Sequence, residues 1–233
     1  MYNDNIGIGY LLIFIGFGIT FLAQILLKSN YNKYKNIVSS SKICGKDVAR
    51  KILDSNGLKN VKINEISGEL TDHYDPRSKT VNLSSAIYGD NSIASVAVAA
   101  HECGHAIQDK EGYFMLKLRS SIVPIVNLST KIGYIVIVIS LAASLFNLAM
   151  VGFIMIMASL VFQLITLPVE FNASSRAKKQ INKLDLVSKK DQSGVSKMLF
   201  AAALTYVAAV LSTIMQLLRL LLMILGGGNR RRN

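Results

Sequence analysis

Residues 132–167 read IGYIVIVISLAASLFNLAMVGFIMIMASLVFQLITL, thirty-six positions without a charged side chain. A helix crosses a hydrocarbon core about 30 Å thick with roughly 20 apolar residues. The run is too long for one crossing and suits two spans of about 17 to 18 residues, with Asn147 at the tip between them. Two more uncharged runs, 6–27 and 198–218, are each long enough to cross once. The first lacks a basic lead-in and a small-x-small cleavage site, so it reads as an anchor rather than a removed signal peptide. The fold class that follows is a mainly α integral membrane protein with about four transmembrane helices. Only residues 28–131 are polar enough, over enough length, to form a small α+β domain.

Within that polar part, Val96 to Gln108 reads VAVAAHECGHAIQ. Its centre is His101-Glu102-Cys103-Gly104-His105, an H-E-x-x-H motif in an apolar helical pattern. Residues four apart share a helix face. Two imidazoles so placed can reach one Zn²⁺ at roughly 2.0–2.1 Å. Glu102, beside the first of them, is placed to take a proton from water as general base. Three His and five Glu in 233 residues would fall into this spacing by chance roughly once in a thousand such chains. Two histidines buried in an apolar helix also need partners. Gly104 costs about 1 kcal/mol relative to Ala in a helix, which suggests close approach by another segment. Cys103 points away from the face shared by the histidines and reads as a small buried residue. With Cys44 it makes no disulfide framework.

A centre with two histidines needs a third protein ligand and leaves one position for water. Five acidic residues follow the motif: Asp109, Glu111, Glu170, Asp185 and Asp191. Of these, Glu170 sits where a helix emerges directly after the hairpin. It reads as opening that helix, with Pro168 in the first turn. A carboxylate there also suits the helix dipole, but the ligand role is the one we assign.

Working outward, residues 31–42 are polar and aromatic and suit a juxtamembrane linker. Gly45 to Gly57 reads as a short amphipathic helix, with Val48, Ile52 and Leu53 on one face and Asn56-Gly57 as the stop. Val61 to Ile66 alternates as a strand. Leu70 to Ser84 reads as a hairpin turning at Asp75-Pro76, with Thr80–Leu83 as its second strand. Asn91 or Ser92 caps the motif helix, which spans about 92–109. His73, the third histidine, reads as structural. The expected parts are therefore 1–27, a transmembrane helix; 28–131, the catalytic α+β part; 132–167, a two-helix hairpin; 168–197, a helix with the third ligand; 198–225, the last transmembrane helix; and 226–233, a basic tail.

The net charge of +12 divides as −1 over 1–27, +5 over 28–131, +4 over 168–197 and +4 over 198–233. These charges flank spans, so they read as positive-inside bias and contact with anionic lipid, not as a nucleic-acid surface. The H-E-x-x-H pair and Glu170 must lie on one side of the bilayer if they share an ion. The run between them then crosses an even number of times, and the charge places both polar segments in the cytoplasm. A single last crossing would leave Arg219 and Arg230 to Arg232 outside, against that rule; a re-entrant or interfacial path for 198–218 would relieve the conflict.

Leu70-Thr-Asp-His-Tyr-Asp-Pro76, Val98-Ala-Ala-His-Glu-x-Gly-His-Ala-Ile-Gln108, Thr166-Leu-Pro-Val-Glu-Phe-Asn-Ala-Ser-x-Arg-Ala177 and Ala201-Ala-Ala-Leu-Thr-Tyr-Val-Ala-Ala209 together resemble the YugP-like neutral zinc metallopeptidases of bacteria. More distantly they are similar to the HtpX and prenyl-protease group of membrane metallopeptidases, in which H-E-x-G-H is followed by a helix bearing E-x-x-x-D. The resemblance implies a zincin-like domain with Zn²⁺ held by His101, His105 and Glu170, and with Glu102 as catalytic base. Ser174 stands where the wider group has Asp, so the carboxylate that would orient a histidine must come from elsewhere, or Ser174 must serve in its place.

The expected function is hydrolysis of peptide bonds in a peptide or membrane-protein substrate. By analogy, the substrate strand would pair with an edge at Thr80–Leu83. His73, Tyr74 and Arg176 are candidate oxyanion donors. The alternative is a non-catalytic scaffold with a structural zinc, against which an intact Glu102 argues. A solute transporter is disfavoured because the spans carry few ionisable groups beyond Arg219.

Overall fold

A computed structural model describes the backbone of residues 2–230 and the side chains of residues 7–226. The basic side chains expected at 230–232 lie outside the described residues. The chain runs α1 (Tyr2–Lys35), α2 (Gly45–Ser55), β1 (Lys62–Ile66), β2 (His73–Asp75), β3 (Thr80–Ser84), α3 (Ser85–Tyr88), α4 (Ile93–Lys110), α5 (Phe114–Ala142), α6 (Phe146–Lys183) and α7 (Lys189–Arg230). Four of these helices, α1, α5, α6 and α7, are long and apolar enough to cross a membrane. The chain is a multi-pass, mainly α membrane protein with a small α+β part.

Residues 1–24, 118–167 and 205–233 form one compact unit; residues 25–117 and 168–204 form the other. The four long helices thus divide their length between the two. In the first unit the uncharged run breaks at residues 143–145, where Ser144 takes a left-handed φ of 57°. The turn falls just before Asn147, which lies in the first turn of α6. Behind the turn the two helices pack closely: a Cβ on Gly133 would lie 2.9 Å from the Gly152 carbonyl oxygen, and one on Gly152 would lie 2.8 Å from the Gly133 oxygen. Glycine pairs of this kind let helix backbones approach where lipid supplies no hydrophobic drive. Phe14, Phe17, Ile125, Val138 and Ile154 are exposed, as lipid-facing side chains are.

The second unit has its own core. On α2, Val48, Ala49, Ile52 and Leu53 are fully buried, the face that the 3.6-residue period marks out. They join Val81 and Leu83 of β3 and Val96, Ala97, Ala99 and Ala100 of α4. Tyr31 and Tyr34 belong to the same core. The expected linker at 31–42 is therefore corrected: α1 continues through Lys35, because two aromatic rings three residues apart share a face that packs inward.

The sheet order is β1-β3-β2, with β1 parallel and β2 antiparallel to β3. This overturns the expectation of an edge at Thr80–Leu83. Every residue of β3 is buried, and its backbone is paired on both sides. The edges are β1 and β2. The path of α6 also differs from expectation. Glu170 does not open a new helix, since α6 runs unbroken through Pro168. Proline withdraws one backbone donor but does not by itself end a helix whose flanks are packed. α7 is one continuous helix, which removes the re-entrant path considered for 198–218.

Candidate metal centre

α4 is set by local chemistry at its start. Ser92 is its N-cap and accepts from the Ser95 amide at 3.1 Å, while the Ser95 hydroxyl donates to Asp90. From that start the helix presents a buried apolar surface up to His101. One turn on, a Cβ at Gly104 would fall 2.5 Å from the Ala173 carbonyl oxygen. α6 therefore passes against α4 at the point where α4 has no side chain. That contact brings Glu170, one turn before Ser174, to the histidine face.

The ligating atoms of His101, His105 and Glu170 all lie within 4.8 Å of one another. Glu170 Oε2 is 3.3 Å from His101 Nε2 and 3.6 Å from His105 Nε2. Ligands at about 2.0–2.2 Å around a tetrahedral ion stand roughly 3.3–3.6 Å apart. The two carboxylate–imidazole distances fit that spacing, so these three residues could hold a zinc ion. The two rings meet edge to face, their centroids 4.9 Å apart, and both Nε2 atoms approach Glu170 Oε2.

The far side of each ring is also held. His105 Nδ1 lies 3.0 Å from Gln108 Oε1. The Gln108 amide nitrogen donates to the Val169 carbonyl at 2.8 Å and to Asn172 Oδ1 at 2.9 Å. Those two acceptors fix the amide orientation, so the oxygen must face the ring. His105 then carries its proton on Nδ1, and Nε2 offers a lone pair. His101 Nδ1 lies 3.2 Å from Ser174 Oγ, so a hydroxyl occupies the place of the Asp in the wider group.

Glu102 is buried. Its carboxyl is raised to about 7, chiefly by burial, with Glu170 and Asp72 adding to the rise and His101 and the Tyr74 backbone N–H opposing it. Asp72 is itself raised by burial, against bonds from the Ser84 amide and hydroxyl. Cys103 is fully buried, its thiol pushed far up by desolvation and directed to the Ala49 carbonyl. That is the chemistry of an inert core thiol.

The three oxyanion candidates are engaged elsewhere. His73 is exposed and bonded through Nδ1 to the Thr71 carbonyl and through Nε2 to Asn82. The Tyr74 hydroxyl donates to Asp109 at 2.6 Å. Arg176 bonds Asn172 and pairs with Glu111. Sequence reasoning missed Gln108, although a glutamine three residues after a ligand, on a buried face, was a visible signal. It also missed Asp72, whose burial depends on the Ser84 contact and has no local signature.

Fold and site together define a polytopic helical membrane protein with a two-histidine, one-carboxylate centre of zinc-peptidase pattern. The family model described as "Putative neutral zinc metallopeptidase" matches residues 9–225. The chain belongs to that family, whose cofactor is Zn²⁺. It is similar to a protein of Bacillus subtilis (strain 168) named "Putative membrane protease YugP", with 46% identity over 202 residues, covering 87% of this chain and 90% of the relative. No solved structure matches the chain.

Proposed function

We propose that the protein is a zinc-dependent endopeptidase of the H-E-x-x-H plus Glu type, acting on peptides or membrane-protein segments. His101, His105 and Glu170 would hold the metal and Glu102 would be the general base. The observation that carries this reading is the convergence of the three donor atoms beside a buried carboxyl. Zn²⁺ bound there would supply Lewis-acid polarisation of the scissile carbonyl and acidify water. Glu102 takes the proton of the attacking water and passes it to the leaving amine. Gln108 and Ser174 hold the two rings in the orientation that keeps each Nε2 inward.

Substrate binding is assigned to the outer edge of β2, in place of Thr80–Leu83. Its Tyr74 backbone N–H bonds Glu102, so a peptide strand added beside β2 would lie next to the catalytic carboxyl. Backbone pairing of this kind sets register without demanding one side-chain sequence. Both polar segments are assigned to the cytoplasm on their positive charge. Lipid is the other partner assigned, and nucleic acid is not one.

The test is hydrolysis of casein and of a membrane-spanning peptide by the purified full-length protein. Activity should vanish with a chelator, return with zinc, and be absent from Glu102→Gln. Glu102→Gln turning over at the wild-type rate would defeat the assignment.

A further inference from the structure

Arg219 stands inside the apolar stretch of α7, with ten uncharged residues between it and Arg230 in the sequence. A charge within such a stretch is costly unless it is paired. The described side chains offer Arg219 only the face of Tyr10, with the guanidinium carbon 5.9 Å from the ring centroid. A ring face leaves the guanidinium N–H edges available. The unit to which Arg219 belongs is poor in counter-charge. Among its described side chains, Arg119, Lys131 and Arg219 are basic and none is acidic.

Beside Arg219 is a cavity of about 420 Å³ formed by α1, α5 and α7. That volume lies within the range of small-molecule sites, roughly 300–1,000 Å³. Its lining is mixed. Arg219, Gln216, Tyr134, Ser212 and Thr20 bring polar groups, and Leu12 and Phe17 make apolar wall. Gln216, Ser212 and Arg219 share one face of α7, spaced by three and four residues. The Tyr134 hydroxyl is 3.5 Å from Gln216 Oε1. Gly16 lets α1 approach α7 beside Ser212, where a Cβ would come within 3.2 Å of Ser212 Oγ.

We propose that this cavity binds one anionic phospholipid. The phosphate pairs with Arg219, whose long side chain reaches toward the headgroup level. The Gln216 amide N–H donates to a glycerol ester oxygen, while the Tyr134 hydroxyl holds the Gln216 amide oxygen. One acyl chain lies along Leu12 and Phe17. A guanidinium pairs with phosphate through two parallel charge-assisted hydrogen bonds. The lipid then supplies the negative charge that the described side chains of this unit lack. This site is separate from the metal centre and does not depend on the peptidase reading.

The test uses the full-length protein in detergent micelles carrying equal phosphatidylglycerol and phosphatidylcholine, read by native mass spectrometry. Wild type should retain one phosphatidylglycerol, on the order of tenfold over phosphatidylcholine, as a buried charge-assisted pair would give. Arg219→Gln should abolish that preference. Thr20→Leu, which fills the cavity and keeps Arg219, should reduce retention of both lipids. Lys131→Gln, a cation of the same unit outside the cavity, should change nothing. Cooperative thermal unfolding reports whether each variant is folded, and Thr20→Leu carries the test if Arg219→Gln is not. Equal retention of the two lipids by wild type, a preference surviving in folded Arg219→Gln, or equal loss in Lys131→Gln would overturn the proposal. So would release of the retained lipid by excess inorganic phosphate, which would make the site one for free phosphate.

Discussion

Gln108 Oε1 lies 3.0 Å from His105 Nδ1 while the same amide's nitrogen bonds the Val169 carbonyl of α6. One side chain thus sets the tautomer of a histidine and ties its helix to the helix that carries Glu170. Gln108→Leu should weaken zinc binding by roughly 10–100-fold, as loss of an outer partner does elsewhere. It should also destabilise the fold by about 1–3 kcal/mol, because buried polar partners on α6 lose their donor. Competition against a fluorescent zinc chelator, together with thermal unfolding, measures both. Unchanged zinc affinity would remove Gln108 from the centre.

Glu102→Gln should keep full zinc content and lose turnover by roughly 10²–10⁴-fold, the usual range for general acid–base groups. The amide is nearly isosteric but cannot accept the proton. Metal analysis of the purified variant, paired with a peptide-cleavage assay, separates this outcome from simple loss of the centre.

Ala in place of His101, His105 or Glu170 should strip the metal. Chelation of wild type should lower the unfolding temperature by the same route, since a ligand bound only to the native state stabilises it by mass action. A chelated protein that unfolds at the unchanged temperature would show that the three residues hold no metal in solution.

Gly104→Ala sets two effects against each other. Helix propensity favours Ala by about 1 kcal/mol. The new Cβ would sit 2.5 Å from the Ala173 carbonyl oxygen, and relieving such overpacking costs about 1–3 kcal/mol. The clash is with backbone, so steric cost should win. The variant should unfold at lower temperature and bind zinc less tightly, because α4 and α6 must part.

Cysteines placed one at a time at residues 120 and 185, in a background without Cys44 and with only the buried Cys103 besides, should both be labelled from the cytoplasmic side. Labelling of both from outside would reverse only the orientation. Labelling from opposite sides would contradict a centre shared by His101, His105 and Glu170.

Much of this was legible locally. The spacing of His101 and His105, the α2 face of Val48, Ile52 and Leu53, the Ser92 cap and the uncharged run at 132–167 all declare themselves within a few turns. What misled was long-range. Tyr31 and Tyr34 look like interfacial residues until the core they enter is known. Thr80–Leu83 looks like an edge because hairpin logic pairs it only with β2, while the parallel partnership with β1 spans eighteen positions. Pro168 reads as a helix start because proline is favoured there, yet α6 runs on through it.

The hairpin turn at residues 143–145 falls between the two halves of the donor set, with His105 before it and Glu170 sixty-five positions later. A nascent chain that has made the histidine pair therefore still lacks its carboxylate. The missing donor follows only after both arms of the hairpin have been made. If these residues hold the catalytic zinc, the growing chain has no complete donor set until Glu170 has been made. It acquires hydrolytic competence only after insertion into the bilayer has progressed past the second arm.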